Sequence, residues 1–348
     1  MRVALVTDTH YGARGDSVAF DQYFKQFYDN VFFPTLEERK ITRIIHLGDC
    51  FDRRKYINFN SLQSCKEYFF DKARDLNIRI DMIVGNHDTF YKNTNDVNSP
   101  DLLLKEYLNI ITYSSPTTID VDGRKILMLP WICSGNYEES MDAINSTEAK
   151  VCFGHLEIEG FQMFKGQENH EGFDPKIFKR FTLLCSGHFH HRHGKDNIYY
   201  LGNPYQMFWN DYEDERGFHI FYTDTLECEF IANPYTIFEK VYYDESKPIP
   251  NAEDYANKLV KLVVVEKSNQ IKYDQFVDRL YKANPLEVKI IEDMSEFEAD
   301  ILDDESVDLS DTQTLLSQYV DALETDVDKT RLKTLMKTLY VEAQDYDS

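Results

Sequence analysis

The N-terminal two thirds of the chain contains short apolar runs that each end in an aspartate, an asparagine or a histidine. Five segments share this arrangement, namely residues 2–7, 41–47, 78–84, 150–153 and 182–186. Short runs rich in β-branched residues are typical of buried strands. Polar residues that directly follow a buried strand indicate a loop that carries chemistry. The pattern therefore predicts five strands that deliver polar side chains at the same end.

The segments between the first three strands show helical spacing instead. Apolar residues from Phe20 to Val31 recur at the spacing of one helix face, and a second helix is predicted over about residues 61–76. Strands that alternate with helices predict parallel strands with the helices outside the sheet.

A second sheet is predicted from the middle of the chain. A hairpin over residues 117–129 turns at Asp122-Gly123, which is a strong turn dipeptide. Residues 198–201 and 217–222 are predicted strands that close this second sheet. The expected fold class is therefore α/β, with two packed sheets flanked by helices.

The composition of the chain changes after Pro234. A strand over residues 259–266, a helix over 273–282 and a strand over 286–291 predict a small α/β unit without metal-binding residue types. These boundaries predict a main domain over residues 1–233 followed by a small domain that ends near residue 300.

The remaining segment, residues 301–348, is predicted to contain an acidic linker and two short helices. Residues 292–328 contain no lysine or arginine. The last predicted helix, about residues 326–343, carries apolar side chains on one face. This terminal stripe consists of Leu332, Leu335, Met336, Leu339 and Tyr340. It packs either on its own domain or on another chain, and the acidic linker before it favours a partner.

Composition excludes several classes of protein. A length of 348 residues with 42% hydrophobic residues indicates about two folded domains rather than a disordered chain. No apolar run approaches the roughly 20 residues of a membrane span. The six cysteines lack paired spacing and are expected to be reduced thiols of a cytoplasmic protein.

The polar residues after the five strands form a set of metal-binding types. The carboxyl ends of parallel strands meet at one edge of a sheet, so these side chains are expected to converge. Imidazole, carboxylate and amide donors suit Mn²⁺, Fe²⁺ or Zn²⁺. The set is too large for one tetrahedral ion, so we expect two ions that share a carboxylate. A single histidine in such a position more often has a structural role, and only the ordered set favours metal binding.

The ordered motifs resemble those of the calcineurin-like metallophosphoesterases, and the resemblance covers roughly residues 1–225. The motifs are Asp8-Thr9-His10, Gly48-Asp49-Cys50-Phe51-Asp52, Gly85-Asn86-His87-Asp88, Gly154-His155 and Gly187-His188-Phe189-His190. Within this superfamily, the third and fifth motifs, the small second domain and the helical tail are similar to the SbcD-type recombination nucleases, particularly to the form carried by large tailed phages.

The resemblance implies two Mn²⁺ ions, with Mg²⁺ or another divalent metal as alternatives. Asp49 would bridge the two ions. The first ion would take Asp8, His10, Asp49 and His190 as ligands. The second ion would take Asp49, Asn86, His155 and His188.

The resemblance also implies a catalytic role for His87, which would stabilise or protonate the departing 3′ oxygen, with Asp88 orienting its ring. A purely supporting role for His87 remains an alternative. Arg53, Arg54 and Lys55 are candidate phosphate contacts in DNA binding, or else a solvated loop. The aromatic-rich segment 203–209 either shapes the substrate channel or faces the core.

The function implied by the resemblance is that of a manganese-dependent DNA nuclease in recombination and repair, with 3′–5′ exonuclease action on duplex DNA and endonuclease action on single strands. The nuclease would be a homodimer bound through the terminal stripe to an SMC-like ABC ATPase, with residues 234–300 as a capping domain that selects DNA. A net charge of −23 opposes nucleic-acid binding through a basic surface, although two metal ions would add about four positive charges locally. The alternatives are a phosphatase or cyclic-nucleotide phosphodiesterase on the same fold, and a noncatalytic scaffold for DNA ends or an ATPase.

Overall fold

The computed structural model describes residues 1–292 together with Lys329 and Leu332. The helix expected at about residues 311–323, and every residue of the terminal stripe except Leu332, lie outside the described residues. All six cysteines lie within them and are free. In this part of the chain no helix is long and apolar enough to cross a membrane.

The strands of residues 1–292 are short, and most of them fall where the apolar runs predict. In chain order they are β1 (Arg2–Val6), β2 (Arg43–His46), β3 (Arg79–Ile83), β4 (Ile110–Tyr113), β5 (Thr117–Val121), β6 (Arg124–Leu129), β7 (Val151–His155), β8 (Gln162–Phe164), β9 (Gln167–Glu168), β10 (Leu183–Gly187), β11 (His193–Lys195), β12 (Ile198–Tyr200), β13 (Gly217–Tyr222), β14 (Cys228–Ala232), β15 (Phe238–Asp244), β16 (Leu259–Glu266) and β17 (Glu287–Ile291).

The two helical segments predicted near the N-terminus are confirmed, and each contains one π-helical turn, at Tyr28–Phe32 and at Lys66–Phe70. The first segment continues past Pro34, which lies two residues after the end of the π-helical turn. The α-helices are α1 (Ala13–Asp16), α2 (Val18–Phe27), α3 (Phe33–Glu38), α4 (Phe59–Cys65), α5 (Asp71–Asp75), α6 (Ser99–Leu103), α7 (Tyr137–Ser146) and α8 (Gln270–Lys282).

The first sheet has six strands in the order β14-β13-β1-β2-β3-β4. Strands β1, β2 and β3 are parallel to one another, as predicted, and β4, which was not predicted, pairs parallel with β3. The expectation that residues 217–222 close the second sheet is wrong. Strand β13 instead pairs antiparallel with β1, from Arg2↔Tyr222 to Leu5↔His219. This pairing satisfies the edge of β1 that would otherwise present unpaired backbone groups.

The second sheet has six strands in the order β11-β12-β10-β7-β6-β5. Strands β6, β7, β10 and β12 are parallel, and the predicted hairpin forms the antiparallel pair β5–β6. Apolar side chains of both sheets meet in one core, in which Leu5 and Ile45 of the first sheet pack with Met128 and Phe153 of the second. The two-sheet sandwich is therefore as predicted.

The outer face of the first sheet is covered by helices rich in aromatic side chains. Tyr205 is fully buried, its ring stacks on that of Phe24 with centroids 3.8 Å apart, and its hydroxyl donates to the Thr9 carbonyl oxygen. Met207 is also fully buried. Of the two interpretations of segment 203–209, the structure favours the core for these residues.

A third, three-stranded parallel sheet follows in the order β15-β16-β17. Helix α8 packs on one of its faces, where Phe276 and Leu280 contact Tyr243 and Leu262. Strands β16 and β17 and the helix match the predicted elements, whereas β15 was not predicted. The division of the chain at residue 234 remains a prediction.

Candidate metal centre

The loops that follow β1, β2, β3, β7 and β10 meet at one edge of the sandwich. The backbone N–H of Asp8 donates to the Gly48 carbonyl oxygen at 3.0 Å, and that of His10 donates to the Asp49 carbonyl oxygen at 3.1 Å. The backbone N–H of His188 donates to the Asp8 carboxylate, 3.1 Å from Oδ1. These bonds join three of the five loops, so the polar side chains lie within one buried pocket.

Two glycines allow this close approach. A Cβ atom on Gly85 would lie 2.2 Å from Oδ1 of Asp49, and one on Gly187 would lie 2.0 Å from Oγ1 of Thr7. The backbone is also strained at the site, because Asp8 and Asp49 both adopt positive φ angles, of 51° and 52°. Such conformations disfavour non-glycine residues and occur mainly where the surrounding structure imposes them.

A first group of candidate ligands is formed by Asp8, His10 and His190, whose ligand atoms all lie within 4.8 Å of one another. Both ring nitrogens of His10 are buried and make no hydrogen bond within the described residues. Nε2 of His10 lies 3.8 Å from Oδ2 of Asp49, too far for a hydrogen bond. A buried nitrogen that faces a carboxylate at this distance is suited to sharing a cation with it.

A second group is formed by Asp49, His155 and His188. Nε2 of His155 lies 3.2 Å from Oδ2 of Asp49. Oδ1 of Asn86 lies 2.9 Å from Nε2 of His155 and 3.0 Å from Nδ1 of His188. Donor atoms bound at ~2.0–2.1 Å to one ion also lie about 3 Å apart, so this group has the spacing of a ligand shell. Asp49 Oδ2 is the atom that both groups approach.

Charge within the pocket is concentrated and mutually compensated. Burial raises the pKa of Asp8 to about 6. Burial also opposes ionisation of Asp49, but His155 and His87 outweigh it and hold the pKa of Asp49 well below its ordinary value. Burial lowers the pKa of His10, whereas Asp52 and Asp49 outweigh burial and raise it to about 10. A pocket that holds protons this tightly has a negative potential that also favours divalent cations.

The two histidines of the motif Gly187-His188-Phe189-His190 join different groups, but not through an extended backbone, because His188 has a positive φ angle of 87°. The intervening ring of Phe189 is buried and stacks on Tyr200, with centroids 4.5 Å apart. The Phe189–Tyr200 stack anchors the backbone between the two candidate ligands.

His87 lies at the rim of the pocket, with its ring edge-on to that of His10 at 4.8 Å. Its backbone N–H donates to Oδ1 of Asp49 at 2.8 Å, and its Nδ1 lies 2.7 Å from the carbonyl oxygen of Asp52. A carbonyl oxygen only accepts hydrogen bonds, so Nδ1 carries the proton and Nε2 remains for the pocket.

The structure corrects the expectation that Asp88 orients the ring of His87. The Asp88 carboxylate instead accepts hydrogen bonds from the backbone N–H groups of Cys50 at 2.9 Å, Phe51 at 3.2 Å and Gly85 at 2.9 Å. A buried carboxylate is satisfied better by three converging amides than by one ring nitrogen. Asp88 thus positions the loops that carry the candidate ligands.

The candidate phosphate contacts already have neighbours within the chain. Arg53 forms an ion pair with Asp16 at 2.9 Å, and its guanidinium lies 4.9 Å from the centroid of the Tyr56 ring. Nζ of Lys55 lies 5.8 Å from the centroid of the Phe90 ring. The role of Arg53, Arg54 and Lys55 in DNA binding remains a prediction.

Sequence reasoning missed residues that support the pocket from distant segments. Arg216 is buried and donates to the carbonyl oxygen of His190 while it pairs with Asp211 and Asp214, at 2.8 Å each. The ring of Trp131 lies 5.0 Å from that of His188. Trp131 follows the end of β6 by two residues, and Arg216 directly precedes β13. Neither is a metal-binding residue type, so the pattern of candidate ligands does not point to them.

Comparisons with known proteins show two similarities of sequence. The family model for calcineurin-like phosphoesterase matches residues 1–192. The chain is 33% identical over 349 aligned residues, which cover 99% of both chains, to a protein of Enterobacteria phage T4 named exonuclease subunit 1.

Two solved structures are also similar. A novel archaeal phosphodiesterase is 13% identical and covers 67% of this chain and all of its own, with a TM-score of 0.34. A purple acid phosphatase from yellow lupin seeds is 11% identical and covers 68% of this chain and 46% of its own, also with a TM-score of 0.34.

The close approach of Gly85 to Asp49 generates a prediction. Replacement of Gly85 by alanine should weaken Mn²⁺ binding about 10–100-fold, because the added Cβ displaces the carboxylate that both ligand groups approach. Titration calorimetry of the metal-free protein measures the affinity, and circular dichroism checks the fold.

Gly123→Asn is the matched control. Gly123 lies in a turn with a φ of 76° and has open space around its Cβ position, and asparagine tolerates this conformation. Unchanged manganese affinity in Gly85→Ala would contradict the role assigned to this contact.

Proposed function

The chain belongs to the calcineurin-like phosphoesterase family and is a metal-dependent phosphodiesterase, and we propose that its substrate is DNA and its metal manganese. The observation that carries the proposal is the position of Asp49 Oδ2, which lies 3.2 Å from Nε2 of His155 and 3.8 Å from Nε2 of His10. One carboxylate oxygen between two histidine-containing groups matches a centre for two divalent ions. The full-length similarity to a phage exonuclease subunit supports DNA as the substrate.

The residues that would hold the metal ions are those of the two groups. The first ion would be held by Asp8, His10, Asp49 and His190. The second would be held by Asp49, Asn86, His155 and His188. Two divalent cations bound there would supply Lewis acidity and would offset the charge of the phosphodiester.

We propose that His87 transfers a proton to the substrate and that Asp52 holds the ring of His87 in place. The bond from Nδ1–H of His87 to the Asp52 carbonyl oxygen fixes the ring, and a proton taken up from solvent at Nε2 makes this nitrogen a donor toward the substrate. We assign to Nε2–H the protonation of the departing 3′ oxygen. Oδ1 of Asp52 also lies 3.4 Å from Nδ1 of His10. Asp52 therefore contacts both His87 and a candidate metal ligand.

The biological context that we propose is the processing of DNA ends in recombination and repair, by exonuclease action on duplexes and endonuclease action on single strands. The phage relative is named a subunit, which supports a partner protein. We propose that this partner is an SMC-like ABC ATPase bound by a homodimer of this chain, and that the third sheet belongs to a capping domain that selects DNA.

Two other functions fit the same fold. A phosphatase or cyclic-nucleotide phosphodiesterase would use the same centre on small substrates. A scaffold that only binds DNA ends or the ATPase would need no metal ligands. In this chain, however, every candidate position carries a residue that can bind a metal.

A substrate panel tests the proposal. With Mn²⁺, the purified full-length protein should cleave blunt duplex DNA and single-stranded DNA with a higher kcat/KM than nitrophenyl phosphate or cyclic nucleotides, and the candidate ATPase with ATP should increase duplex cleavage. Preference for a small phosphoester would favour the phosphatase alternative. Absence of both manganese binding and hydrolysis would favour the scaffold.

The role of His87 predicts a separation of binding from chemistry. His87→Ala should retain Mn²⁺ and DNA binding but lose about 10²–10⁴-fold in the rate of single-turnover DNA cleavage, as expected for loss of a general acid. His170→Ala is the matched control, since the His170 side chain is 82% exposed. Near-normal cleavage by His87→Ala would leave His87 only a supporting role.

The role of the terminal segment predicts a loss of assembly without a loss of chemistry. A chain that ends at residue 304 should no longer copurify with the ATPase, because the terminal stripe would be missing, while its basal nuclease activity should persist. Copurification of the shortened chain would refute docking through this segment.

A further inference from the structure

An exposed aromatic surface lies beside the candidate metal centre. We define the aromatic rim as Tyr56, Phe59, Phe90 and Tyr91, which are 65%, 86%, 37% and 49% exposed. Among the phenylalanines that the structure describes, only Phe59 and Phe90 are exposed, and both belong to this rim. The rings of Phe90 and Tyr91 lie 4.8 Å apart, and Lys55, next to Tyr56, lies 5.8 Å from the Phe90 ring. Exposed rings on two neighbouring segments indicate an interaction surface rather than scattered surface residues.

The two loops that carry the rim are fixed to the site and to each other. The loop after β2 contacts the loop after β3 through the bond between the Asp52 carbonyl oxygen and Nδ1 of His87, and through the bond from Phe51 N–H to Asp88. The rim begins four residues after Asp52 on one loop, and three residues after His87 on the other. The rim is therefore carried by the two segments that border the pocket beside His87.

The rim is held in place by local hydrogen bonds. Phe90 N–H donates to the carbonyl oxygen of Val97 at 2.9 Å, and Thr89 pairs with Asn98 across the loop. On the other segment, the side chain of Asn58 accepts a hydrogen bond from the backbone N–H of Asn60. Asn58 thereby caps helix α4, which begins at Phe59. Exposed rings on a fixed backbone lose little conformational entropy when a ligand stacks on them.

The charge around the rim differs from that of the whole chain. Residues 53–60 contain three cationic residues and no acidic residue, although Arg53 is paired with Asp16. Residues 89–95, between Asp88 and Asp96, contain one lysine and no acidic residue, whereas the chain carries a net charge of −23. Arg53 and Lys55 lie 4.9 Å and 5.8 Å from the ring centroids of Tyr56 and Phe90. Cations interleaved with exposed rings are complementary to an anionic ligand that has flat π faces.

We propose that the aromatic rim binds unpaired nucleotides of single-stranded DNA, whose bases stack on the four rings while the neighbouring cations face the phosphates. Unpaired bases expose both faces, whereas duplex bases are already stacked on one another, so the rim selects a single strand over a duplex. This inference rests on the proposed nuclease function and specifies the form in which the substrate reaches the site.

The test compares binding with chemistry in the full-length protein. Fluorescence anisotropy without divalent metal measures the affinity for oligo(dT), and Mn²⁺-dependent hydrolysis of bis-nitrophenyl phosphate reports on the metal centre alone. The variants Tyr56→Ala with Phe59→Ala, and Phe90→Ala with Tyr91→Ala, should each bind oligo(dT) at least about tenfold more weakly. Hydrolysis of the small ester should stay unchanged.

Three controls identify stacking as the cause. Tyr199→Ala and Tyr281→Ala remove exposed rings elsewhere, which are 45% and 55% exposed, and should not change oligo(dT) binding. Phe59→Leu keeps an apolar side chain but loses the ring, and should bind oligo(dT) as weakly as Phe59→Ala. An abasic oligonucleotide of the same length should bind the natural protein as weakly as oligo(dT) binds the variants.

The outcomes separate this proposal from the nuclease function. The rim proposal is overturned if the rim variants bind oligo(dT) as tightly as the natural protein does, or if the natural protein binds the abasic strand as tightly as oligo(dT). The nuclease function stands in either case if the natural protein cleaves DNA. If oligo(dT) binding depends on the rim but the protein cleaves no DNA, the nuclease function fails and the binding surface stands. If the rim variants lose binding to vesicles of phosphatidylglycerol but keep their binding to oligo(dT), the rim binds a membrane and the proposal is overturned.

Discussion

The burial of two carboxylates in one pocket is the constraint on which the rest of the structure depends. Asp8 and Asp49 are 0% and 2% exposed. Burial of a charge costs free energy unless opposite charge compensates it. Here the positive charges that act on the two carboxylates come from histidines, chiefly His155, together with His10 and His87. Histidine can give up its proton and bind a cation instead, so the same groups that stabilise the metal-free pocket are the groups that can form a metal site.

A buried carboxylate in the middle of β3 shows the contrast. Asp81 is 0% exposed and forms ion pairs with Arg43 at 2.7 Å and Arg79 at 2.8 Å, while it accepts a hydrogen bond from the Tyr113 hydroxyl at 2.8 Å. An arginine keeps its proton and cannot serve as a metal ligand. Asp81 therefore stabilises the junction of β2, β3 and β4, whereas Asp8 and Asp49 face groups that can exchange protons for metal ions. Buried carboxylates on the same sheet thus differ in their chemistry because their counter-charges differ.

A polar network joins the pocket to the third sheet. Arg216 donates to the carbonyl oxygen of His190 and pairs with Asp211, whose backbone carbonyl accepts from the side chain of Gln206 at 3.2 Å. Oε1 of Gln206 accepts from Phe238 N–H at 3.1 Å, at the start of β15. The loop that carries a candidate ligand is thus linked to the third sheet through paired, buried groups. Networks of this kind are rigid because each member left unpaired would be costly.

Local patterns in the chain were enough to predict the two-sheet sandwich, the outer helices and the groups that meet at the strand ends. The reason is that strand and helix periodicities are local, and parallel strands place their carboxyl ends together. Local patterns do not predict the partner of β13. Its apolar pattern fits either sheet, and only the open edge of β1 places it in the first sheet. The partners of Asp88 and the contact of Arg216 with His190 likewise depend on backbone groups from distant segments. Such contacts carry no signal in the sequence because any residue supplies the same amide or carbonyl, and three-dimensional packing alone brings them within reach.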